Sequence, residues 1–225
     1  MTRRALAAAA FGLFGAAVLI ALGVWQLQRL EWKEGVIARL ETRLAAEPAA
    51  LPAEPDPAED DFLRVSADGR LGERALHVLT SRRGQGPGYR VIAPLETAAG
   101  RRVLVDLGFL PDDMRTGGFP GSGTQARVTG ALYWPDEVDG FTPEPDRAEE
   151  TWFARDLVPM ADALETEPVL VVAEAHDLGQ WPMPLRLGID VPNNHLGYAL
   201  TWFSLALVWA VMSALLVRRE RRLRA

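Results

Sequence analysis

The chain has 225 residues, with 30 acidic and 24 basic side chains and no cysteine. The lack of cysteine excludes disulfides, thiolate metal sites, iron–sulfur clusters and covalently attached c-type haem. All acidic residues except Glu220 lie within 29–190. So acidic a segment would repel phosphates, which excludes nucleic acid as a partner.

Two segments, 5–28 and 191–217, contain no charged side chain. Each is longer than the roughly 20 residues that cross a hydrocarbon core. We therefore predict transmembrane helices over 5–28 and 193–217. A cleaved signal peptide is the alternative for the first segment. It is disfavoured because the apolar run is long and ends in the bulky "GVWQLQRLEWK" instead of a small-residue cleavage site.

The basic flanks predict the orientation. Arg3 and Arg4 precede the first span, and five arginines follow the second within 218–225. Basic residues stay on the cytoplasmic side, so 1–4 and 218–225 are predicted to be cytoplasmic and the central domain to lie across the membrane. Lys33 is the only lysine beside 23 arginines, typical of a GC-rich bacterial genome. We thus expect a bacterial inner-membrane protein with a periplasmic domain.

The first span carries Ala8, Gly12 and Ala16 at four-residue spacing. Small residues at this spacing let two membrane helices approach closely, and the second span is an available partner. The alternative is an alanine-rich span without a packing role.

Residues 29–61 are predicted to hold an amphipathic helix followed by a linker. Val36, Ile37, Leu40 and Leu44 share one helical face. The following "PAALPAEPDPAEDD" is rich in proline and acid, so we expect it to form neither a helix nor a strand interior.

Residues 62–192 are predicted to form a mainly antiparallel β (α+β) domain, as a sheet or a small barrel with few helices. "GYRVIAPLE" and "RRVLVDLGFL" flank "TAAG", which indicates a hairpin with glycine in its turn. One helix is expected at "ARDLVPMADALE". The remaining predicted strands are "LRVSADGRL", "ALHVLTSRR", "ARVTGALYW" and "EPVLVVAEA".

No motif in this domain indicates catalysis. "RRGQGPGYR" is followed by a strand, whereas a phosphate-binding loop requires a helix. "EAHD", which contains His176, supplies too few ligands for a metal site, and His77 alternates with apolar neighbours as a sheet residue does. The sequence thus favours a binding or scaffolding module over an enzyme.

The second span opens with an unusual group of side chains. Pro192 and a cap at Asn193 or Asn194 indicate a helix start, which places His195 in the first turn. Helical spacing puts an aromatic stripe with one small residue below it, comprising Tyr198, Ala199, Trp202 and Trp209.

His195 is expected to be mostly neutral, because a helix N-terminus and partial desolvation both disfavour imidazolium. Neutral imidazole ligates metals, so a flat iron macrocycle could lie on the stripe with its iron on His195. The alternative is an ordinary interfacial histidine in an aromatic belt.

The end of the first span carries a matching set, with Trp25, Gln28 or Arg29, and Trp32 along one face. Trp25 and Arg29 could face the His195 region if the spans pair, and Arg29 could bind a carboxylate such as a haem propionate. The alternative is membrane anchoring by tryptophan and by a snorkelling arginine.

"NNHLGYALTWFSLA" and "LGVWQLQRLEWK" together resemble the Surfeit locus protein 1 family. The resemblance continues through "GYRVIAPLET", "VLVDLGFLP", "VTGALY" and "TWFARDLVPMADAL" in the same order, and it covers nearly the whole chain. Two departures lie in the central domain. Leu107 and Phe109 stand where the family often has arginine and tryptophan, and "PEPDRAEETWF" lacks a usual asparagine.

The resemblance implies a factor that assembles haem–copper cytochrome c oxidase, binds haem a and helps to insert it into the catalytic subunit. It maps the proposed haem ligand onto His195 and matches Trp202 in "TWF". The expected partners are the catalytic subunit, the enzymes of haem a synthesis and the lipid bilayer. The alternative is a membrane scaffold that stabilises an oxidase assembly intermediate without binding haem.

Overall fold

The computed structural model describes residues 3–115, 118–188 and 193–222. They form two compact units. One comprises the first helix up to Arg39 together with the last helix, and the other comprises Leu40–Gly188. The sequence placed Pro192 at a helix start and Arg224 in the basic tail; both lie outside the described residues.

The first unit consists of α1 (Arg3–Ala45) as far as Arg39 and of α4 (His195–Arg222). Both helices are long and apolar enough to cross a membrane. In their most apolar stretches, only 11% of α1 and 6% of α4 is buried. Such exposure of apolar side chains is expected of helices that face lipid and is unlike the core helix of a soluble protein.

The two helices pack against each other in antiparallel directions. Trp209 of α4 donates its indole N–H to the carbonyl of Gly12, at 2.9 Å. Three glycines of α1 lie so close to α4 that an added Cβ would clash; the contacts are Gly12 with Ser213, Gly15 with Trp209, and Gly23 with Phe203. The expected close approach at Gly12 is therefore present, and the packed face continues through Gly15 and Gly23.

The segment after α1 contains two short elements. β1 (Ala49–Ala50) pairs in parallel with the next strand, and α2 (Pro57–Asp60) forms one turn. The expectation that this segment forms no helix was wrong at α2, whereas β1 is only a two-residue pairing at the end of the sheet. Asp56 caps the turn by accepting the Ala58 N–H at 2.8 Å, and proline is favoured at the first helical position.

Five strands of the second unit close into a small barrel. Hydrogen-bonded neighbours run in the order β2, β6, β8, β5 and β4, and β4 pairs back with β2. β3 lies beside β4, and β7 lies beside β3. The bounds are β2 (Arg64–Leu71), β3 (Leu76–Arg82), β4 (Gly86–Thr97), β5 (Arg102–Pro111), β6 (Gln125–Leu132), β7 (Thr151–Trp152) and β8 (Glu167–His176).

Gly69 permits the closure of this barrel. It pairs with β6 on one side and with Thr97 of β4 on the other. A Cβ at Gly69 would lie 2.3 Å from the carbonyl oxygen of Glu96. Glycine in a strand often marks such a close backbone approach.

The sheet is mixed, so the expectation of a mainly antiparallel domain was wrong. The predicted hairpin of β4 and β5 is antiparallel, with Gly100 in its turn. β5 and β8, however, pair in parallel, as do β1 with β2 and β3 with β7. Helix α3 (Leu157–Leu164) precedes β8. A long connection separates β5 from β8 in the chain, as a parallel pair of strands requires.

Two hydrophobic clusters hold the domain together. The first fills the barrel with side chains such as Val65, Val91 and Val105, all fully buried. The second joins the outer face of the sheet to α3, through Met160 and the almost fully buried Trp152. Along β4, β5 and β8, residues alternate between these clusters, as the two-residue period of a strand requires.

A buried ion network crosses the sheet. Asp106 is completely buried and accepts hydrogen bonds from Arg90 at 2.6 Å and from Arg155 at 3.2 Å. Arg155 also binds Glu137 through both carboxylate oxygens. Burial by itself would raise the pKa of Glu137, but the bonds from Arg155 outweigh it and hold that pKa below its ordinary value.

The two positions at which the strand sequence departs from the resembled family are both in the core. Leu107 and Phe109 are completely buried. Phe109 also exchanges backbone hydrogen bonds with Met183, at 2.7 Å each way. Both departures therefore lie in the domain interior.

Candidate functional site

Helix α4 begins at His195, directly after the two asparagines that the sequence offered as its cap. The backbone N–H of Tyr198 donates to the carbonyl of Asn194 at 3.2 Å, which makes Asn194 the residue that precedes the helix. The neighbouring Asn193 has a buried amide oxygen without a hydrogen-bond partner among the described residues. His195 therefore occupies the first helical position, directly after two asparagines.

One face of α4 packs on α1. Its members recur at alternating intervals of four and three residues, the spacing of helices in prolonged contact. Ala199 is 1% exposed and Ala206 is 6% exposed, so both are enclosed by the pair. The half-buried positions on this face are His195, Trp202, Trp209 and Ser213.

His195 is joined to α1 by a hydrogen bond. Its Nδ1 atom lies 2.7 Å from the amide oxygen Oε1 of Gln26. An amide oxygen only accepts hydrogen bonds, so this contact requires a proton on Nδ1. Nε2 has no hydrogen-bond partner within the described ranges. A neutral ring in this form presents a lone pair on Nε2, the atom with which an imidazole binds a metal.

The predicted aromatic stripe divides into two parts. Trp202 lies half-buried two turns below His195, and Tyr198 is 58% exposed beside the packed face. Trp209 belongs to the helix contact, since its ring packs on Gly15 and Phe11. Only the upper part of the stripe therefore keeps aromatic surface beside the imidazole.

The predicted residues of α1 do not bond to His195. Trp25 is 54% exposed and adjoins Gln26 in sequence. The guanidinium of Arg29 lies 4.0 Å above the ring of Trp32, in a cation–π contact. Gln26 is thus the residue of this segment that contacts His195, and Trp25 and Arg29 flank it.

Sequence reasoning missed Gln26, although a signal was present. The small-residue face of α1 that passes through Gly12 reaches Gly23 when it is extended by intervals of three and four residues. One further step of three residues reaches Gln26. Following the packing face would have identified Gln26 as the polar side chain directed at α4.

The other two histidines are held within the β domain. His176 lies with Nε2 2.8 Å from the carbonyl oxygen of Pro182, and its Nδ1 accepts from the backbone of Leu178. The adjoining residues of "EAHD" are likewise engaged, Glu174 by Arg64 and Asp177 by the backbone of Arg127. His77 is 7% exposed and neither ring nitrogen has a hydrogen-bond partner in the described chain.

Comparison with known proteins identifies the family. The model of the SURF1 family matches residues 13–207, which include both Gln26 and His195. The chain belongs to the SURF1 family. The resemblance drawn from its two membrane-end motifs is thereby confirmed.

SURF1 relatives occur in animals, other eukaryotes and bacteria. A SURF1-like protein of Monosiga brevicollis is 31% identical, over 90% of this chain and 84% of its own length. Surfeit locus protein 1 of Mus musculus is 27% identical, over 84% and 69%. A SURF1-like protein of the bacterium Rickettsia felis is 28% identical, over 84% and 88%. The similarity therefore extends over both helices and the domain between them.

Proposed function

We propose that this SURF1 protein is an assembly factor for haem–copper cytochrome c oxidase. It binds haem a through His195 and aids insertion of the haem into the catalytic subunit. The observation that carries the proposal is the imidazole of His195, which stands at the first position of α4 with Nδ1 engaged by Gln26 and Nε2 available. The role is binding and delivery without catalysis.

The side chains at this position fit a haem. Histidine is a common axial ligand of haem iron. Haem also requires apolar surface for its ring, which Tyr198 and Trp202 present on the same helix. His195 would hold the iron, and the two aromatic side chains would contact the macrocycle. When bound, the haem would supply only its own redox and ligand chemistry, which the oxidase uses after transfer.

The residues at the end of the first span have a supporting role in this proposal. Trp25 offers exposed aromatic surface next to Gln26. Arg29, stacked on Trp32, carries a charge that suits a haem propionate. The contacts supplied by His195 and these side chains are few, which suits a carrier because the cofactor must leave again.

A scaffold that binds no haem is the second candidate, and one observation favours it. The hydrogen bond from His195 to Gln26 and the packing of Trp209 on Gly15 both join α1 to α4. In that case, His195 would serve helix pairing, and the protein would stabilise an oxidase assembly intermediate through its membrane helices and β domain.

Purification from cells that make haem a distinguishes the two candidates. We expect the wild-type protein to carry haem a, read from its absorption spectrum, and His195→Ala to lose it. His176→Gln is the matched control, because both nitrogens of His176 are engaged inside the domain, and it should retain the haem. Wild-type protein without haem, or a His195→Ala protein with equal haem, would overturn haem binding. Retained oxidase assembly would then favour the scaffold.

A further inference from the structure

We propose that Gln26 is a positioning residue: it holds His195 as the Nδ1–H tautomer and directs the lone pair of Nε2 toward a metal ligand site. The assignment of the tautomer stands on the hydrogen bond alone. Its consequence for haem iron rests on the proposed function. Gln26 therefore acts through His195 and need not touch the cofactor.

The geometry of the pair specifies the tautomer. Nδ1 of His195 and Oε1 of Gln26 are 2.7 Å apart, a short distance for a hydrogen bond between nitrogen and oxygen. Gln26 offers an acceptor at this atom, so the ring proton of neutral His195 is held on Nδ1. The alternative tautomer would set two lone pairs against each other.

Helix packing brings the two side chains within reach. Gly23 precedes Gln26 by three residues. A Cβ added to Gly23 would lie only 2.6 Å from the ring of Phe203. On the other helix, Ala199 is 1% exposed one turn after His195. Small residues thus let the helices approach closely beside the pair, so that a glutamine of α1 spans the remaining distance.

The partial burial of both side chains strengthens this bond. Gln26 and His195 are each half-buried, and hydrogen bonds between groups withheld from water are stronger than exposed ones. Metal-binding histidines usually donate their second ring N–H to a protein acceptor, which fixes the ring orientation and raises the basicity of the other nitrogen. Gln26 provides this acceptor to His195.

His176 supplies an internal contrast. Its Nε2 faces the carbonyl oxygen of Pro182, and its Nδ1 accepts a backbone N–H. It is therefore held as the Nε2–H tautomer, the opposite of His195. The two histidines report the two tautomers within one sample.

Nitrogen NMR of the apo protein tests the tautomer directly. With ¹⁵N-histidine in the full chain, three imidazoles give signals, and His195→Ala assigns the one of interest. We expect long-range proton–nitrogen correlations to assign Nδ1–H to His195 and Nε2–H to His176. Gln26→Leu should move the His195 pattern toward a mixture of tautomers. An Nε2–H pattern for His195 in the wild type, or an unchanged pattern in Gln26→Leu, would overturn the proposal.

Haem titration tests the consequence for the iron. Loss of such an outer partner typically weakens metal binding about 10–100-fold, so Gln26→Leu should weaken haem affinity by this factor and raise the reduction potential. Gln26→Glu keeps an acceptor oxygen and should restore affinity with a lower potential. Gln28→Leu removes a similar but exposed amide from the same helix and should behave as wild type.

The two failures are distinguishable. If the wild type binds no haem but shows the Nδ1–H tautomer, the proposed function fails and the tautomer assignment stands. If the wild type binds haem and Gln26→Leu matches Gln28→Leu in affinity and reduction potential, haem binding stands and the positioning role of Gln26 is overturned.

Discussion

His77 is a buried histidine whose ring has no hydrogen-bond partner among the described residues. Burial lowers its pKa below the ordinary value of 6.5, and the charge of Arg115 lowers it further. Glu150 acts in the opposite direction. Tyr89 packs edge-on against the imidazole, at 5.7 Å between ring centroids. The fold therefore favours the neutral ring.

The lowered pKa predicts that acidification destabilises the β domain. Well above pH 6.5, the ring is neutral in both states and adds no pH dependence. As the pH falls through 6.5, His77 binds a proton in the unfolded chain but stays neutral in the folded chain. The free energy of unfolding therefore declines. Below the folded-state pKa this decline ends. Thermal unfolding of the detergent-solubilised protein between pH 8 and pH 5 measures the effect.

His77→Phe should flatten this part of the profile. The phenyl ring keeps the edge-on contact with Tyr89 and loses no hydrogen bond, so stability at pH 8 should be maintained. His176→Phe is the contrasting variant, because it loses two hydrogen bonds and should be less stable at every pH, by about 1 kcal/mol for each bond. An equal slope in the wild type and His77→Phe would rule out His77 as the source.

At the scale of single residues, the sequence singled out His195 as a candidate but gave no indication of its partner Gln26 or of the buried ions. His195 stood out because the chain has only three histidines and this one lies at the start of an apolar span. Gln26 was missed because its role depends on which face of α1 meets α4, a tertiary property. Asp106 was missed because a carboxylate in a strand is expected to be exposed, and its partner Arg155 lies 49 residues away.

The antiparallel pairing of α1 and α4 depends on the glycines at their contact. Gly15 has no room for a Cβ, because the indole of Trp209 would lie 2.4 Å from it. Alanine favours helix formation over glycine by about 1 kcal/mol, so Gly15→Ala should stabilise the helix itself but force the indole and α4 to move. We predict lower thermal stability and lower haem occupancy for Gly15→Ala.

Gly35→Ala is the matched control in the same helix, since its nearest neighbour is the end of the Arg39 side chain at an ordinary contact distance of 3.9 Å. This variant should be as stable as the wild type or more so. Cysteine pairs introduced into the two helices of this cysteine-free chain would report their spacing by cross-linking. Equal cross-linking, stability and haem occupancy in both alanine variants would contradict the packing role of Gly15.

At the scale of elements, the positions of the strands were easier to predict from the sequence than their parallel or antiparallel pairing. Alternating apolar residues and the glycine of "TAAG" were sufficient for β2, β3, β6 and the hairpin of β4 and β5. The parallel pairing of β5 with β8 was missed, although both contain nearly continuous apolar runs. Such runs are typical of strands buried on both faces, as these are. Strand order depends on contacts distant in sequence, which local patterns do not encode.

For the whole molecule, the helix pair constrains the topology. Gly12, near the start of α1, meets Ser213 near the end of α4, whereas Gln26 meets His195 at the start of α4. The first turns of α1 and the last turns of α4 therefore lie at the same end of the helix pair. If both helices span a membrane, the two termini share one side and the domain between the helices lies on the other, as the positions of the arginines also predict.

Reporter fusions test this topology. A fusion after Ala225 should have cytoplasmic activity, because five arginines follow the second span. A reporter inserted within 51–55, between β1 and α2, should have periplasmic activity. Alkaline phosphatase, active only outside the cytoplasm, and a fluorescent protein that matures inside it give opposite readouts at each position. Replacing the five terminal arginines with glutamate should weaken the orientation bias and leave the helix contacts intact. The same side for both fusions would contradict two membrane crossings.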